Sequence, residues 1–214
     1  MDIPTNWTFK DADVARAFDT HVREQLPWYD LMSGAVAHIA RHYIPDHGVV
    51  LDLGCSTGNM GRLLASTIGT RSATYIPVDN SQQMIDQYTG PGTPVLDDIE
   101  TFTVPTFDVA ICFLSLMFIA PSRRAALLAR LRDRMNDGGA LIIVDKTESV
   151  GGYLGTALAR LALAGKVATG TSADDIVAKE LSLIGVQRPI EARHLTDAVE
   201  VFRFGEFAGW VIAR

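Results

Sequence analysis

Three aspartates stand where apolar runs end or are interrupted, and their positions suggest a shared role. Asp52 lies inside an apolar run, where a carboxylate is costly unless it accepts backbone amides or pairs with a ligand cation. Asp79 closes a second run, and an acid at the end of a second strand can accept both hydroxyls of a ribose. Asp98 follows a third run and can accept the exocyclic amine of adenine, while Ile99 packs on the ring. Together these residues predict a crevice that binds a nucleoside.

A glycine-bracketed turn, Gly54-Cys55-Ser56-Thr57-Gly58, follows the first apolar run and precedes a helix start at Met60. Gly54 and Gly58 lack Cβ atoms, so the backbone can turn sharply there and a ligand can approach it closely. The backbone amides then line a crevice beyond the carboxyl end of the strand, where open α/β sheets bind ligands. The turn matches neither G-x-x-x-x-G-K-[ST] nor G-x-G-x-x-G, so it is not a usual phosphate cradle. A dinucleotide-binding turn and a purely structural one remain open alternatives.

The spacing of these features agrees with a strand–helix–strand unit. Gly54 and Asp79 are 79 − 54 = 25 positions apart, close to the ~20 typical of such a unit. Two alternatives remain open for the acids: Asp79 can cap the helix that follows it, and Asp98 can belong to a solvated acidic loop.

The hydrophobic pattern predicts the elements that hold these side chains. Short apolar runs without alternation suit parallel strands buried on both faces. They cover residues 49–53, 73–78, 94–96, 107–114 and 140–144. Two amphipathic helices precede the first strand, and Pro27 separates them. Tyr29 follows at the joint, where it can face a ligand or pack in the core. Two further strands, 190–201 and 207–212, predict an antiparallel hairpin joined by Arg203-Phe204-Gly205-Glu206.

These elements predict an α/β fold with a seven-stranded, mostly parallel sheet, an antiparallel C-terminal hairpin strand and N-terminal helices. A tight turn at Asn136-Asp137-Gly138-Gly139 precedes the fifth strand. An N-terminal arm carries Trp7 and Phe9, whose rings can pack on the domain or over a pocket. No composition shift or internal repeat divides the chain, so we expect a single domain. Its expected parts are an arm with helices (1–47), a core (48–146), a helical lid or oligomer segment (147–185) and the hairpin (186–214).

The composition is that of a soluble globular protein, because the 214 residues are 48% hydrophobic and 21% charged. No apolar stretch reaches ~18 residues and no secretory signal is visible, so we expect neither a membrane span nor export. Two cysteines, Cys55 and Cys112, suit reduced core thiols in the cytoplasm. The net charge of −6 disfavours salt-driven binding along nucleic acid. No metal is expected, since His38 and His42 have no evident third ligand.

The glycine turn, the acid closing the second strand and the terminal hairpin resemble the class I S-adenosylmethionine-dependent methyltransferases over nearly the whole chain. Closer matches to the carboxy-S-adenosylmethionine synthase family lie in Pro27-Trp28-Tyr29, Leu53-Gly54-Cys55-Ser56-Thr57-Gly58, Val78-Asp79-Asn80-Ser81, Asp98-Ile99, Asp137-Gly138-Gly139-Ala140 and Phe202-Arg203-Phe204-Gly205. That family converts S-adenosylmethionine and prephenate to a carboxylated cofactor for tRNA wobble-uridine modification. The resemblance implies S-adenosylmethionine as cofactor and S-adenosylhomocysteine as product, with carboxy-S-adenosylmethionine as the alternative cofactor.

The expected cofactor site combines residues implied by the resemblance with others indicated by position. Its members are Tyr29, Asp52, Gly54, Cys55, Ser56, Gly58, Asp79, Asn80, Asp98, Ile99 and Phe113. Two positions depart from the family pattern: Phe113 stands where the family has an asparagine, and Glu180 where an arginine binds the extra carboxylate. A carboxylate in place of that guanidinium should repel the carboxylated cofactor. Lys179 is adjacent to Glu180, however.

The primary expectation is therefore a methyltransferase of unknown acceptor, with catalysis by positioning in a site shielded from water. Residues expected near the acceptor are Trp28, Tyr29, Leu114, Ser115 and Lys146, and the candidate proton-transfer groups are Tyr29, Asp145 and His194. Two alternatives are a carboxy-S-adenosylmethionine synthase that uses prephenate and a non-catalytic module that binds the cofactor or its product. We expect a small-molecule acceptor rather than nucleic acid, no membrane partner, a cytoplasmic location and a homodimer surface within residues 147–185.

Overall fold

The computed structural model describes residues 3–148 and 151–214, and a seven-stranded sheet forms its centre. The strands are β1 (Val49–Leu53), β2 (Thr74–Asp79), β3 (Val95–Leu96), β4 (Phe107–Phe113), β5 (Met135–Lys146), β6 (Val199–Phe204) and β7 (Phe207–Ala213). Their order across the sheet is β3-β2-β1-β4-β5-β7-β6. The first five strands pair in parallel, and β7 is antiparallel to both of its neighbours. The predicted mostly parallel sheet with an antiparallel C-terminal hairpin is confirmed.

Helices cover both faces of this sheet. They are α1 (Ala12–Gln25), α2 (Tyr29–Ala40), α3 (Asn59–Thr70), α4 (Gln82–Ile85), α5 (Pro121–Arg134), α6 (Gly152–Ala168) and α7 (Ala173–Ser182), with short 3₁₀ turns at Leu116–Phe118 and Ala192–Leu195. Asp11 begins α1, because its side chain accepts the backbone N–H groups of Asp13 and Val14. The helix ends at Gln25, two residues before Pro27, which has no N–H to continue it.

The central strands are buried on both faces, so their alternate residues enter two separate apolar clusters. In β4, Val109 and Ile111 pack with α2 and α3, whereas Ala110 and Cys112 pack with α5. This three-layer arrangement fixes the sheet rigidly. The loops at the carboxyl ends of its parallel strands are therefore held in defined positions.

Two boundaries differ from the sequence-based expectation. The fifth strand begins at Met135 rather than at residue 140. Residues 136–139, expected to form a turn before the strand, instead form a bulge within β5. The pairing shifts there from Phe107–Met135 to Val109–Ala140. The expected strand 190–201 is wrong over most of its length. Only Val199–Phe204 is strand, since residues 192–195 form a 3₁₀ turn.

The segment 147–185 contains α6 and α7, which carry many exposed apolar side chains. Ser149 and Val150 of this segment, like Met1 and Asp2 of the N-terminal arm, lie outside the described residues. Across the described ranges, no helix has both the length and the apolar character needed to cross a bilayer.

Candidate active site

A cavity of about 160 Å³ opens where β1, β2 and β4 end, and we call it the sheet-end cleft. It is the crevice expected at the carboxyl edge of a parallel sheet. The predicted residues that line it are Tyr29, Asp52, Gly54, Cys55, Ser56, Asp79, Asn80, Asp98, Ile99, Phe113, Leu114 and Ser115. The structure therefore brings most of the predicted site together, although their contacts with a cofactor stay predictions.

The glycine turn is held against the end of β2. The backbone N–H groups of Gly54 and Cys55 donate to the carbonyl of Val78 at 2.8 and 3.0 Å. Gly54 has a φ of 87°, and a Cβ there would lie 2.7 Å from the Cβ of Ser115. Only glycine allows this conformation and this close approach without strain. Ser56 also has a positive φ, 50°, which marks the turn as a strained segment at a ligand cleft.

Asp79 joins the glycine turn to the segment after β2. Its Oδ2 accepts the N–H of Ser56 at 2.8 Å, and its Oδ1 accepts the N–H of Ser81 at 2.9 Å. Ser81 itself caps α4 by accepting the N–H of Met84, so the alternative role of Asp79 as the helix cap falls to Ser81. Burial raises the pKa of Asp79, while these amides and that of Asn80 oppose the rise. Each carboxylate oxygen keeps acceptor capacity for a ribose hydroxyl.

Asp98 and Ile99 follow β3, the neighbour of β2, and also line the sheet-end cleft. Asp98 accepts the side-chain amide of Asn80 at 3.2 Å and the backbone N–H of Glu100 at 2.9 Å. These bonds orient the carboxylate at the cleft, and its contact with adenine stays a prediction. Ile99 is buried beside it and offers an apolar surface of the kind that supports a planar ring.

Asp52 is the deepest charged group of the cleft, with a side chain 1% exposed. It accepts a 2.7 Å hydrogen bond from the hydroxyl of Tyr75, and among the described residues no cation pairs with it. Burial raises its pKa to about 7, although the bond from Tyr75 favours the ionised form. A buried carboxylate without a cation is costly, and a ligand ammonium group would remove that cost.

The hydroxyl of Ser115 is a second polar group that a ligand could satisfy. Its buried Oγ has no hydrogen-bond partner within the described ranges, and the residue lines the sheet-end cleft. Together with the carboxylate of Asp52, it fits the amino-acid half of S-adenosylmethionine. Asp79, Asp98 and Ile99 fit the adenosine half.

The N-terminal arm and α1 form one wall of the cleft. This wall was largely missed by the sequence-based prediction. Asp19 of α1 accepts the hydroxyl of Thr57 at 2.6 Å and pairs with Arg62 at 3.1 Å, which ties α1 to the glycine turn. Phe9 and Phe18 line the cleft as well. The arm carrying Phe9 was expected over a pocket or on the domain. No signal in the sequence marks Asp19, because α1 is amphipathic with or without a ligand.

Trp28 and Gly58, expected at the acceptor and cofactor sites, do not line the cleft. Trp28 is 6% exposed and packs its ring 4.8 Å from that of Phe207. Gly58 has a φ of 95° and precedes α3, and a Cβ there would collide with the carbonyl of Thr89. Its role in the structure is to let the turn enter the helix.

The predicted polar groups Asp145, Lys146 and His194 also lie outside the sheet-end cleft. Asp145 is fully buried and accepts the backbone N–H groups of Met117 and Lys146, and burial raises its pKa to about 7. His194 is buried in the second 3₁₀ turn, where its Nδ1 has no partner among the described residues. Lys146 lies 3.5 Å from the carboxylate of Glu206 and faces a different cavity.

That second cavity, of about 130 Å³, adjoins the sheet-end cleft. Four residues form walls of both cavities: Phe9, Phe18, Leu114 and Phe118. Leu114 has a φ of 57°, a true outlier for a bulky residue. Such strain at a ligand cleft often marks a functional segment.

A family described as "Methyltransferase domain" matches residues 50–139. The carboxy-S-adenosyl-L-methionine synthase of Salmonella paratyphi C is 30% identical over 208 residues, covering 92% of this chain and 81% of the relative. The enzyme of that name from Staphylococcus epidermidis is 26% identical over 212 residues, covering 97% of this chain and 92% of the relative. The plantazolicin methyltransferase BpumL in complex with SAH superposes with a TM-score of 0.63 at 14% identity, over 96% of this chain and 92% of that one.

The chain belongs to the class I S-adenosylmethionine-dependent methyltransferases, as the sequence predicted. Within that class, the similarity extends well beyond the core on both sides. The chain belongs to the carboxy-S-adenosyl-L-methionine synthase family. The expected family and class of enzyme are thereby confirmed.

Proposed function

We propose that this protein is a methyltransferase that uses S-adenosylmethionine and a small-molecule acceptor. The observation that carries the proposal is the pairing of Asp79 with the glycine turn at one end of the sheet-end cleft and unpaired Asp52 at its floor. One acid suits a ribose and the other suits an ammonium group. When bound there, S-adenosylmethionine supplies a methyl group activated by its sulfonium.

The contribution of this chain is binding, orientation and exclusion of water. Asp79 and Asp98 hold the adenosine half, while Asp52 and Ser115 hold the amino-acid half. Phe113 and Tyr29 pack edge to face with ring centroids 5.4 Å apart and close the apolar side of the cleft. Burial raises the pKa of Tyr29, so its hydroxyl stays neutral near neutral pH, where it can donate a hydrogen bond but does not act as a base.

A second candidate is carboxy-S-adenosylmethionine synthesis from S-adenosylmethionine and prephenate. The names of the full-length relatives favour it. Against it stands Glu180, which occupies the position where the resemblance implies a carboxylate-binding arginine. Glu180 is about half exposed and pairs with Lys166 at 2.7 Å, so this carboxylate is partly neutralised. The methyltransferase remains the primary proposal, because the aligned position offers no guanidinium.

Three measurements on the purified protein separate the two candidates. The purified protein is denatured, and its released ligand is identified by mass spectrometry. Calorimetry then measures binding of S-adenosylmethionine, S-adenosylhomocysteine and, as a control, a nicotinamide dinucleotide. Finally, the protein is incubated with S-adenosylmethionine with and without prephenate. The methyltransferase proposal expects the first two ligands to bind and no carboxylated product to form. A prephenate-dependent carboxylated product would establish the second candidate, and failure of both adenosyl ligands to bind would refute both.

We also propose a cytoplasmic location and a homodimer formed through residues 147–185. Both described cysteines are buried and unpaired, which suits a reducing compartment. Exposed apolar side chains on α6, α7 and the turn after α7 support the dimer: Tyr153, Leu154, Val167, Val177, Leu181 and Ile184. Light scattering after size-exclusion chromatography tests the dimer, and Val177→Glu with Leu181→Glu should yield a monomer if this surface forms it.

A further inference from the structure

The second cavity has the size and walls of a site for a single-ring molecule. Aromatic and aliphatic side chains surround most of it, including Trp7, Phe9, Phe118 and Phe207. Its volume of about 130 Å³ is close to that of engineered apolar cavities, on the order of 150 Å³, that hold benzene. Because the cavity shares its walls with the sheet-end cleft, a molecule bound there would lie beside the cofactor.

Unpartnered polar atoms in the second cavity indicate that its ligand is not purely apolar. His21 and Gln25 line the cavity and are each 7% exposed. The Nε2 of His21 and the Oε1 of Gln25 have no hydrogen-bond partner within the described part of the chain. Buried polar groups of native proteins are nearly always satisfied by protein, water or ligand. A ligand with a polar substituent would therefore suit this cavity.

Lys179 is the unusual charged group of the cavity. Its side chain is buried, with 9% of the residue exposed, and its amino group lies against the ring face of Trp7. Lys146 and Lys166 in the same cavity each pair with a glutamate, but among the described residues no carboxylate pairs with Lys179. An unpaired buried ammonium is costly, so the site favours the neutral amine.

The charges and burial around Lys179 lower its pKa and so also favour the neutral amine. The titratable groups that face this cavity come from α1, β5, α6, α7 and the β6–β7 turn: His21, Lys146, Lys166, Glu180 and Glu206. The pKa of Lys179 is lowered to about 6, chiefly by burial and also by the charge of Lys166, and Glu180 opposes this only in part. The ring face of Trp7 favours the ammonium form. Burial is the largest influence on Lys179 and favours the neutral amine.

We propose that the second cavity binds a small ring compound that carries a weakly acidic hydroxyl, and that the amine of Lys179 accepts the proton of this hydroxyl. The O–H bond breaks, its electron pair stays on oxygen, and the proton forms an N–H bond on Nζ. An ammonium–oxyanion pair results, which removes the burial cost of each lone charge. The inference rests on the proposed function in one respect: the resulting oxyanion is the methyl acceptor. A buried lysine with a lowered pKa is suited to this work near neutral pH.

The test uses 4-nitrophenol as the probe, because its visible absorbance reports whether it has lost its proton. The full-length protein, saturated with S-adenosylhomocysteine, is titrated with the probe slightly above the pKa of Lys179, where most free probe keeps its proton. We expect the bound probe to absorb as nitrophenolate. Its affinity for the proton should be at least about tenfold lower than that of the free probe. Lys179→Met should abolish this signal, whereas Lys179→Arg, whose guanidinium is always charged, should bind the probe as nitrophenolate with its proton released to the buffer. Lys10→Met, an exposed change outside the cavity, should behave as wild type.

A second readout keeps the proposal testable without the probe. In spectra of protein with isotope-labelled lysine side chains, the signal absent from Lys179→Arg should titrate near pH 6. Absence of nitrophenolate in the wild type, its persistence in Lys179→Met, or titration of Lys179 in the ordinary lysine range would each overturn the proposal. Circular dichroism and S-adenosylhomocysteine binding check that each variant is folded. Loss of S-adenosylhomocysteine binding by the wild type would instead refute the proposed function, so the two failures are distinguishable.

Discussion

Ionisation of Asp52 should lower the stability of the protein and raise its affinity for the cofactor. Stability and cofactor binding should therefore change in opposite directions as the pH rises. The pKa of Asp52 rises from 3.8 in an unfolded chain to about 7 in the native protein, chiefly because of burial. Between these values the native state holds a proton that the unfolded chain has released, so stability falls as the pH rises. At ~1.4 kcal/mol per tenfold change, the full cost of ionisation is about 4 kcal/mol above pH 7. Structural relaxation makes that figure an upper value.

The variant Asp52→Asn removes the charge and keeps an oxygen that can accept the hydroxyl of Tyr75. Below about pH 3.5, where Asp52 is protonated in both states, it should be slightly less stable than wild type, by about 1 kcal/mol, because its amide N–H groups lack partners. Near pH 8 it should be more stable than wild type by about 1–3 kcal/mol, since the wild type then carries a buried charge. Denaturant unfolding at a series of pH values measures this crossover. Asp86→Asn, on the surface beyond α4, should keep the wild-type pH dependence.

Cofactor binding should respond to the same variant with the opposite sign. An ionised Asp52 pairs with a ligand ammonium, so wild-type affinity for S-adenosylhomocysteine should rise between about pH 6 and pH 7.5. Asp52→Asn should bind more weakly by about 1–3 kcal/mol at the upper pH and lose most of this pH dependence. Calorimetry at several pH values gives both quantities. If the variant and the wild type share one stability profile and one affinity profile, the buried charge assigned to Asp52 is wrong.

Two further predictions concern the turn and the acid beside it. Asp79→Asn should weaken S-adenosylhomocysteine binding by about 1–3 kcal/mol by calorimetry, whereas Asp86→Asn should leave it unchanged; equal affinities for both variants would contradict the ribose role. Gly54→Ala should weaken binding at least about tenfold and destabilise the protein, because its φ is 87° and the new Cβ meets Ser115 at 2.7 Å. Gly69→Ala in α3 meets no atom within 4 Å and should gain up to about 1 kcal/mol of stability in denaturant unfolding. Similar effects of the two alanines would show that the turn is not constrained.

The sheet could be predicted from sequence because its strands carry a strong, local signal. Runs such as Phe107–Phe113 are apolar throughout, and turn residues bound them. The C-terminal third was harder, because β6 exposes Val199 and Val201 and so lacks the alternation that marks a half-buried strand. The glycines before residue 140 indicated a change of direction, but a bulge and a turn use the same residue types.

The sheet-end cleft was predictable for a related reason. The glycine turn and Asp98 follow strands, Asp79 ends one, and parallel strands end at one edge of the sheet. The acceptor side has no such rule. Lys146 is the last residue of β5, where it pairs with Phe207 of β7, and it lines the second cavity rather than the sheet-end cleft.

The position of the family's arginine concerns two adjacent residues of α7. The resemblance implies Glu180 at that position, and a carboxylate should repel an anionic ligand. In the structure Glu180 and Lys179 both line the second cavity, but Glu180 is half exposed and paired with Lys166, whereas Lys179 is buried and has no carboxylate beside it. In the proposal above, the residue that acts in this cavity is therefore the neighbour of Glu180. Adjacent residues on a helix point about 100° apart, so an alignment error of one position exchanges a solvent-facing acid for a buried amine.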